Sequence, residues 1–153
     1  MRNIRKAIEN DLSRIAEIYI FNYRLNFYPI FKSDDFYFNE LQVLKLIESF
    51  KNSLNNIFVY DDGAVKAFIQ LEGNEIKKLF VEPVLQGNSI GSLLLNFAVT
   101  SLNANYLWAL EKNARAISFY RRHGFIATGE KKPEEGTSEY LIKLKRKDKI
   151  YGN

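Results

Sequence analysis

Between Glu82 and Leu95 the chain reads EPVLQGNSIGSLLL, a stretch whose residue types and spacing suit chemistry. It joins a strand-like run to a helix-like run, with Asn88 and Ser89 lying between Gly87 and Gly91. A helix start presents backbone N–H groups that lack partners inside the helix, and it carries the positive end of the helix dipole. A phosphate group suits that place. The ligand must come close, so side chains there must be small or absent. Gly87 and Gly91 meet that need and Ser89 nearly does. A strand–glycine loop–helix unit of this kind is physically apt as a backbone cradle for a pyrophosphate. A plain turn is the alternative that two glycines alone leave open. Spacing excludes two other phosphate loops. A Walker loop needs Lys-Ser/Thr after its last glycine, and here Ser92-Leu93 follows Gly91. A dinucleotide fingerprint needs three glycines and a later acid on a second strand, and only two glycines are present.

The elements that must position this loop are legible from periodicity. RNIRKAI alternates weakly and predicts a first strand. Leu12, Ile15, Ala16 and Tyr19 recur at helical spacing behind Asn10 or Asp11 as a cap. Pro29 and Ser33-Asp34-Asp35 read as stop and restart signals. Leu41, Leu44, Ile47 and Glu48 then mark a second amphipathic helix. NIFVY, AVKAFIQL and EIKKLFVEP predict three strands joined by tight turns at Asp61-Asp62-Gly63 and Glu72-Gly73-Asn74. A helix with apolar Ile90, Leu93, Leu94, Phe97 and Ala98 follows, then the short buried strand YLWAL. NARAISFYRRHG predicts a helix capped by Asn113 and stopped at Gly124, with His123 in its last turn at the surface. FIATGE and SEYLIKLK finish as strands. The order β-α-α-β-β-β-α-β-α-β-β predicts an α/β (α+β) fold, a mixed, mostly antiparallel sheet flanked by helices in a single domain over residues 1–153.

Composition narrows the chemistry. The 153 residues hold 46% hydrophobic and 26% charged side chains, as in a soluble globular protein. No cysteine is present, which removes disulfides, thiol nucleophiles and cysteine-rich zinc sites. The single histidine, His123, allows neither a zinc cluster nor an evident Ser-His-Asp triad. A metal-free mechanism is expected. No apolar run approaches the roughly 18 residues of a membrane span, and the N-terminal residues lack the apolar core of a signal peptide. A cytoplasmic location with no membrane partner is the expectation. The net charge of +4 is mild and is concentrated in KLKRKDK, Lys143 to Lys149, read as a solvated last strand and tail. No helix clusters Arg and Lys as a recognition helix would, so no nucleic-acid partner is expected.

LFVEPVLQGNSIGSLLL resembles the acetyl-CoA-binding motif of the GNAT superfamily of N-acetyltransferases, Gln/Arg-x-x-Gly-x-Gly/Ala after a strand. Here the motif reads Gln86, Gly87, Asn88, Ser89, Ile90, Gly91. Ser89 stands where the family has a glycine, and it is expected within the first helical turn, where serine fits. LWALEKNARAISFYRRHGF resembles the family's later motif, with Asn113 followed seven residues on by Tyr120 and then Gly124-Phe125. The resemblance implies the GNAT-like acyltransferase fold and acetyl-CoA as co-substrate, with no metal.

The resemblance further implies direct attack of an amine on the thioester. It assigns Gln86 to Ser92 to the pyrophosphate, and the strand edge Leu79, Phe80 and Val81 to the pantetheine arm. One of those amides would face the thioester oxygen. Tyr120 is the expected general acid, since a phenol with a pKa about 10 is protonated at neutral pH. Asn113, Ile117 and Tyr120 share a helix face, so Asn113 is expected to cap the helix and touch the cofactor arm. For the base, counting back along the strand gives Glu75, read as sharing one strand face with Lys77, Leu79 and Val81. Glu111 is a second candidate, and a water chain a third. The acceptor, a small-molecule or peptide amine, is expected among Tyr23, Phe27, Tyr28, Phe31 and Phe36, with Arg24, Asp34 and Asp35. A homodimer is compatible with this reading. A non-catalytic acyl-CoA sensor is the alternative function, and a nucleic-acid module using the basic tail ranks last.

Overall fold

The computed structural model describes residues 3–87 and 89–147. Asn88 of the expected cradle, and Asp148 and Lys149 of the basic tail, lie outside the described residues.

Three antiparallel strands open the sheet: β1 (Ile4–Lys6), β2 (Ile57–Asp61) and β3 (Val65–Glu72). The hairpin at Glu72-Gly73-Asn74 returns the chain as β4 (Glu75–Val81), with Gly73 at φ 58°. Then come α4 (Ile90–Leu102), β5 (Tyr106–Leu110), α5 (Ala114–Arg122), β6 (Phe125–Pro133) and β7 (Tyr140–Arg146). The strands form one seven-stranded sheet in the order β1-β2-β3-β4-β5-β7-β6, in which only the β4–β5 pair is parallel. The mixed, mostly antiparallel sheet flanked by helices is the fold expected from the element order.

Alternation along the central strands builds a core on each face. Ala67, Ile69 and Leu71 of β3, with Leu107 and Leu144, pack beneath α4 and α5. Val59 and Phe68 point the other way and are covered by α1 (Leu12–Asn22) and α3 (Val43–Lys51). On α4 the buried residues are Ile90, Leu94, Leu95 and Ala98, whereas Leu93 is exposed, so the apolar stripe is turned slightly from the one expected.

The segment between α1 and α3 departs further from expectation. Pro29 does not break the chain. It occupies the first turn of the short α2 (Tyr28–Phe31), where a missing N–H leaves no bond unmade. The helical path widens into π turns at Tyr23–Phe27 and Asp35–Glu40, and α3 begins only at Val43. Leu41 therefore precedes the second long helix, and Leu44 is exposed. The wider turns set Tyr23 and Phe27 against the distant Phe80 of β4, at 6.0 and 6.3 Å, and seat Tyr37 against Tyr28 at 5.5 Å.

Candidate functional site

The decisive feature is an opening in the sheet. β4 and β5 pair only at Glu75↔Tyr106 and Ile76↔Leu107, then diverge. On its other side β4 remains paired to β3 up to Val81, and the Glu82 N–H donates to the Lys66 carbonyl at 2.8 Å. Antiparallel pairing alternates in direction. Counting back from Glu82, the Phe80 amide also points at β3, while the Leu79 and Val81 amides point into the opening. Of the three amides expected to serve the pantetheine arm, Phe80 is thus withdrawn by geometry. Its ring instead joins the aromatic cluster with Tyr19 and Phe27.

At the upper end of the opening stands the expected cradle. Gly87 has φ 94°, and Ser89 caps α4 from the left-handed region at φ 66°. The expectation that Ser89 lies in the first helical turn is corrected: Ile90 is the first helical residue. The turn must reverse the chain to aim its amides along the helix axis, and Ser89 takes the conformation that a glycine takes most easily. The Leu93 N–H bonds back to the Ser89 carbonyl at 3.0 Å, so the amides of Ile90, Gly91 and Ser92 have no acceptor within the helix. Gly91 is helical and serves closeness. A Cβ there would lie 3.4 Å from Phe119 Cζ and 3.5 Å from Val81 Cγ2.

Side chains expected to hold a ligand are partly engaged within the protein. The Gln86 amide donates to Asn22 Oδ1 at 2.9 Å, and the Ser92 hydroxyl meets His123 Nε2 at 2.9 Å. His123 is accordingly not a surface residue. It is half-buried, with Nδ1 2.9 Å from the Phe119 carbonyl, and it ties the end of α5 to the start of α4. Asn22, which sequence reasoning missed, is the hub of the loop's support. It is buried and donates to the Ile18 and Val81 carbonyls at 2.8 and 2.9 Å. Arg14 adds a second tie, donating to the Val65 carbonyl at 2.8 Å and to Glu82 at 3.1 Å. A polar residue at the inward end of an apolar helix stripe was the available signal for Asn22.

Two cavities meet in the opening. One, of about 220 Å³, is bounded by Gly87, by Ser89 to Ser92, and by Arg115 and Arg122 of α5. The other, of about 590 Å³, is bounded by Tyr19, Tyr23, Lys78, Trp108 and Glu134. Both are lined by Leu79, Phe80, Asn113 and Tyr120, so these residues stand at the junction. Asn113 caps α5 by accepting from the Ala116 N–H at 3.2 Å. Tyr120 is almost fully buried, and burial raises its hydroxyl above the ordinary phenol pKa, which keeps it protonated. Among the described residues no hydrogen-bond partner for that hydroxyl is present. Arg115 and Arg122 were not anticipated, although with Phe119 they recur at i, i+4 and i+7 on α5.

Glu75 borders the larger cavity, but not on the strand face expected for it. The register jumps from Gln70↔Lys78 to Leu71↔Ile76, which places a bulge at Lys77. Ile76, Leu79 and Val81 therefore pack toward α4 and α5, and Glu75 shares the opposite face with Lys78 and Phe80. Its carboxylate stands 3.5 Å from the Tyr106 hydroxyl and 3.7 Å from Lys77. Glu111 is half-exposed and paired with Lys131 at 3.0 Å, outside both cavities. Asp34 and Asp35 also lie outside them, bonded to Tyr28 and Asn39. The acids that do border the large cavity are Glu75, Glu134 and Glu135.

Fold and opening together define a class: a sheet parted between two parallel strands, with unpaired helix-start amides at the head of the gap and an aromatic-lined cavity on its far side. Residues 53–127 match the family model described as "Acetyltransferase (GNAT) domain". The peptidyl-lysine N-acetyltransferase YjaB of Salmonella typhimurium is 29% identical over 86 residues, 56% of this chain and 59% of that relative's length. The solution structure of apo-form YjaB from Escherichia coli superposes with a TM-score of 0.70 at 21% identity, covering 93% of this chain and 95% of that one. The PaiA N-acetyltransferase of Thermoplasma acidophilum, solved in complex with coenzyme A, gives 0.61 at 20% identity, covering 93% and 97%. The matched domain, the curated relative and the shared fold all support a reading of the chain as a GNAT-superfamily N-acetyltransferase.

Proposed function

We propose that this protein transfers an acetyl group from acetyl-CoA to a primary amine by direct attack in a ternary complex. The observation that carries the reading is the continuity of the opening. Free amides at the start of α4 lead past the unpaired Leu79 and Val81 amides to a chamber large enough for an acceptor. The residues present fit such a co-substrate. The amides of Ile90, Gly91 and Ser92 suit a pyrophosphate, with Arg115 and Arg122 adding positive charge at the mouth. An extended arm can add to the free edge of β4 in the manner of a further strand. The name of the curated relative supports a lysine-like amine as acceptor.

Each chain residue then has a task. A backbone amide of Leu79 or Val81 donates to the carbonyl oxygen as it gains negative charge, a contact that supplies roughly 3 kcal/mol. Tyr120 donates its proton to the departing thiolate. Burial keeps its hydroxyl protonated, and so available as a donor when the thiolate forms, although it also makes the phenol a weaker acid. The tyrosinate left by transfer is reprotonated from solvent. Glu75, on the chamber side of β4, accepts the proton that the attacking ammonium must lose. Asn113 fixes the start of α5 and so the position of Tyr120 two turns on.

The test is Tyr120→Phe, which removes one oxygen from a buried ring. kcat with a responsive amine is expected to fall about 100-fold, with the CoA Kd from calorimetry changed less than twofold. Unchanged turnover would remove Tyr120 from the acid's role.

A further inference from the structure

Of the charged groups that line the chamber and that the reaction above does not use, Lys78 stands apart. It lies in the chamber wall, on the strand face that also carries Glu75 and Phe80. Its ammonium stands 5.8 Å from the ring centroids of both Tyr19 and Phe50. Among the described residues it forms no ion pair. The neighbouring cations are engaged: Lys77 is shared between Glu72 and Glu75, and Lys132 sits 4.2 Å above the Trp108 ring. Gln70, directly opposite Lys78 on β3, keeps its Oε1 buried without a partner, so the two groups do not satisfy each other. Burial lowers the Lys78 pKa, repulsion from Lys77 adds to this, and the charge of Glu72 opposes both. An ammonium drawn out of water among aromatic rings is unfavourable until an anion joins it. Across the same rings stands Glu134, whose charge acts on Tyr19 and Tyr23. One chamber therefore offers a carboxylate on its rim and an unmatched cation in its wall.

Resting on the reading of this chamber as the acceptor pocket, we infer that Lys78 is a specificity residue that binds a carboxylate carried by the acceptor. The preferred substrate class is then an amphoteric amine rather than a simple polyamine. Two sources share that chemistry, a free amino acid and a lysine in a peptide beside an acidic residue.

The experiment measures thiol release from acetyl-CoA by the full chain with matched acceptors. Lysine is compared with cadaverine and arginine with agmatine, each pair differing by one carboxylate. A lysine peptide with a neighbouring Glu is compared with the same peptide carrying Gln. A charge-assisted contact predicts kcat/KM about 10-fold or more higher for the carboxylated member of at least one pair. The pair that responds identifies the source. Lys78→Gln is expected to bring that ratio toward one through KM, while turnover of the uncharged-side member persists, and Lys78→Arg is expected to restore part of the preference. A wild type that favours the decarboxylated amines, or a Lys78→Gln chain that weakens both members equally, overturns the inference. If no amine releases thiol although CoA binds, the acetyl-transfer reading fails on its own. Saturation-transfer NMR of the same pairs then decides for Lys78, and equal binding of both members by wild type overturns it.

Discussion

Ser89 adopts a backbone conformation, φ 66°, that an L-residue enters at a cost of about 1–2 kcal/mol, and it does so at the mouth of the cradle. Its side chain makes no cap bond to α4, so the strain has no local compensation there. Replacement by glycine is therefore expected to raise stability by up to about 1 kcal/mol, with the CoA Kd within twofold of wild type. Ser89→Val, branched where the left-handed region is least tolerant, is expected to lose at least about 1 kcal/mol and to weaken CoA binding with it. Urea unfolding and calorimetric titration check both. A tenfold loss in the glycine variant would instead assign ligand contact to the hydroxyl. At this scale the sequence was informative about residue type but not about conformation. Small residues between Gln86 and Ser92 pointed to close approach, and that is a property of composition. Which of them turns left-handed depends on how β4 and α4 are joined in space. For the same reason Gly91, read as open to a ligand, serves equally to let α4 lie against Phe119 and Val81.

Among the elements, α1 carries the loop that sequence reasoning attributed to itself. Asn22, in the last turn of α1, holds the Val81 carbonyl and the Gln86 amide together, joining the end of β4 to the turn before α4. Asn22→Ala leaves those two groups without their partner, and stability is expected to fall by about 2 kcal/mol. CoA affinity is expected to fall with it, because the segment from Glu82 to Gly87 loses its support. Urea unfolding with parallel CoA titration separates the effects: lost stability with unchanged affinity would make Asn22 a packing residue only. The hairpins from Ile57 to Val81, and the run from α4 through β5 to α5, were legible because their signals are local. Period, turn residues and the Asn113 cap all lie within a few positions of what they specify. The π turns at Tyr23–Phe27 and Asp35–Glu40 were not legible, since aromatic packing between distant residues widens the helix there. Nor was the bulge at Lys77. A strict two-residue period placed Glu75 with Leu79, and one extra residue on β4 moved it to the face of Lys78. The parting of β4 from β5 has no local signature either: it begins just past Ile76, at the bulge, and no residue type in either strand marks where pairing stops.

Taken as a whole, the molecule needs a rigid frame, because its sheet is open in the middle and its two cores lie on opposite faces. The β1 edge is fastened by one guanidinium. Arg5 donates to both oxygens of Asp11 at 2.8 and 2.9 Å and reaches Asp61 of β2 at 2.9 Å. Asp11 also accepts from the Ile8 N–H at 2.8 Å, so this cluster sets where α1 leaves the sheet, and with it the aromatic wall of the chamber. The Arg5 hydrogen bonds hold the Asp11 carboxyl below its ordinary value of 3.8, against the opposing effect of burial and with help from Ile8. The sign follows from linkage. A carboxyl depressed in the folded state stabilises fully above its unfolded pKa, near 4, and that stabilisation is lost as pH falls through the lower folded value. Asp11 is 7% exposed but Arg5 is 38% exposed, so solvent screening limits the contribution to about 1 kcal/mol. Asp11→Asn is expected to lower Tm by several degrees at pH 7, and the gap from wild type is expected to close as the pH is taken below about 3. Thermal unfolding of both proteins from pH 7 to 2.5 measures this directly. Two curves that stay parallel to the acid end would mean that the stability carried by this corner of the sheet does not depend on the charge of Asp11, and that its hydrogen-bonding shape alone holds α1 in place.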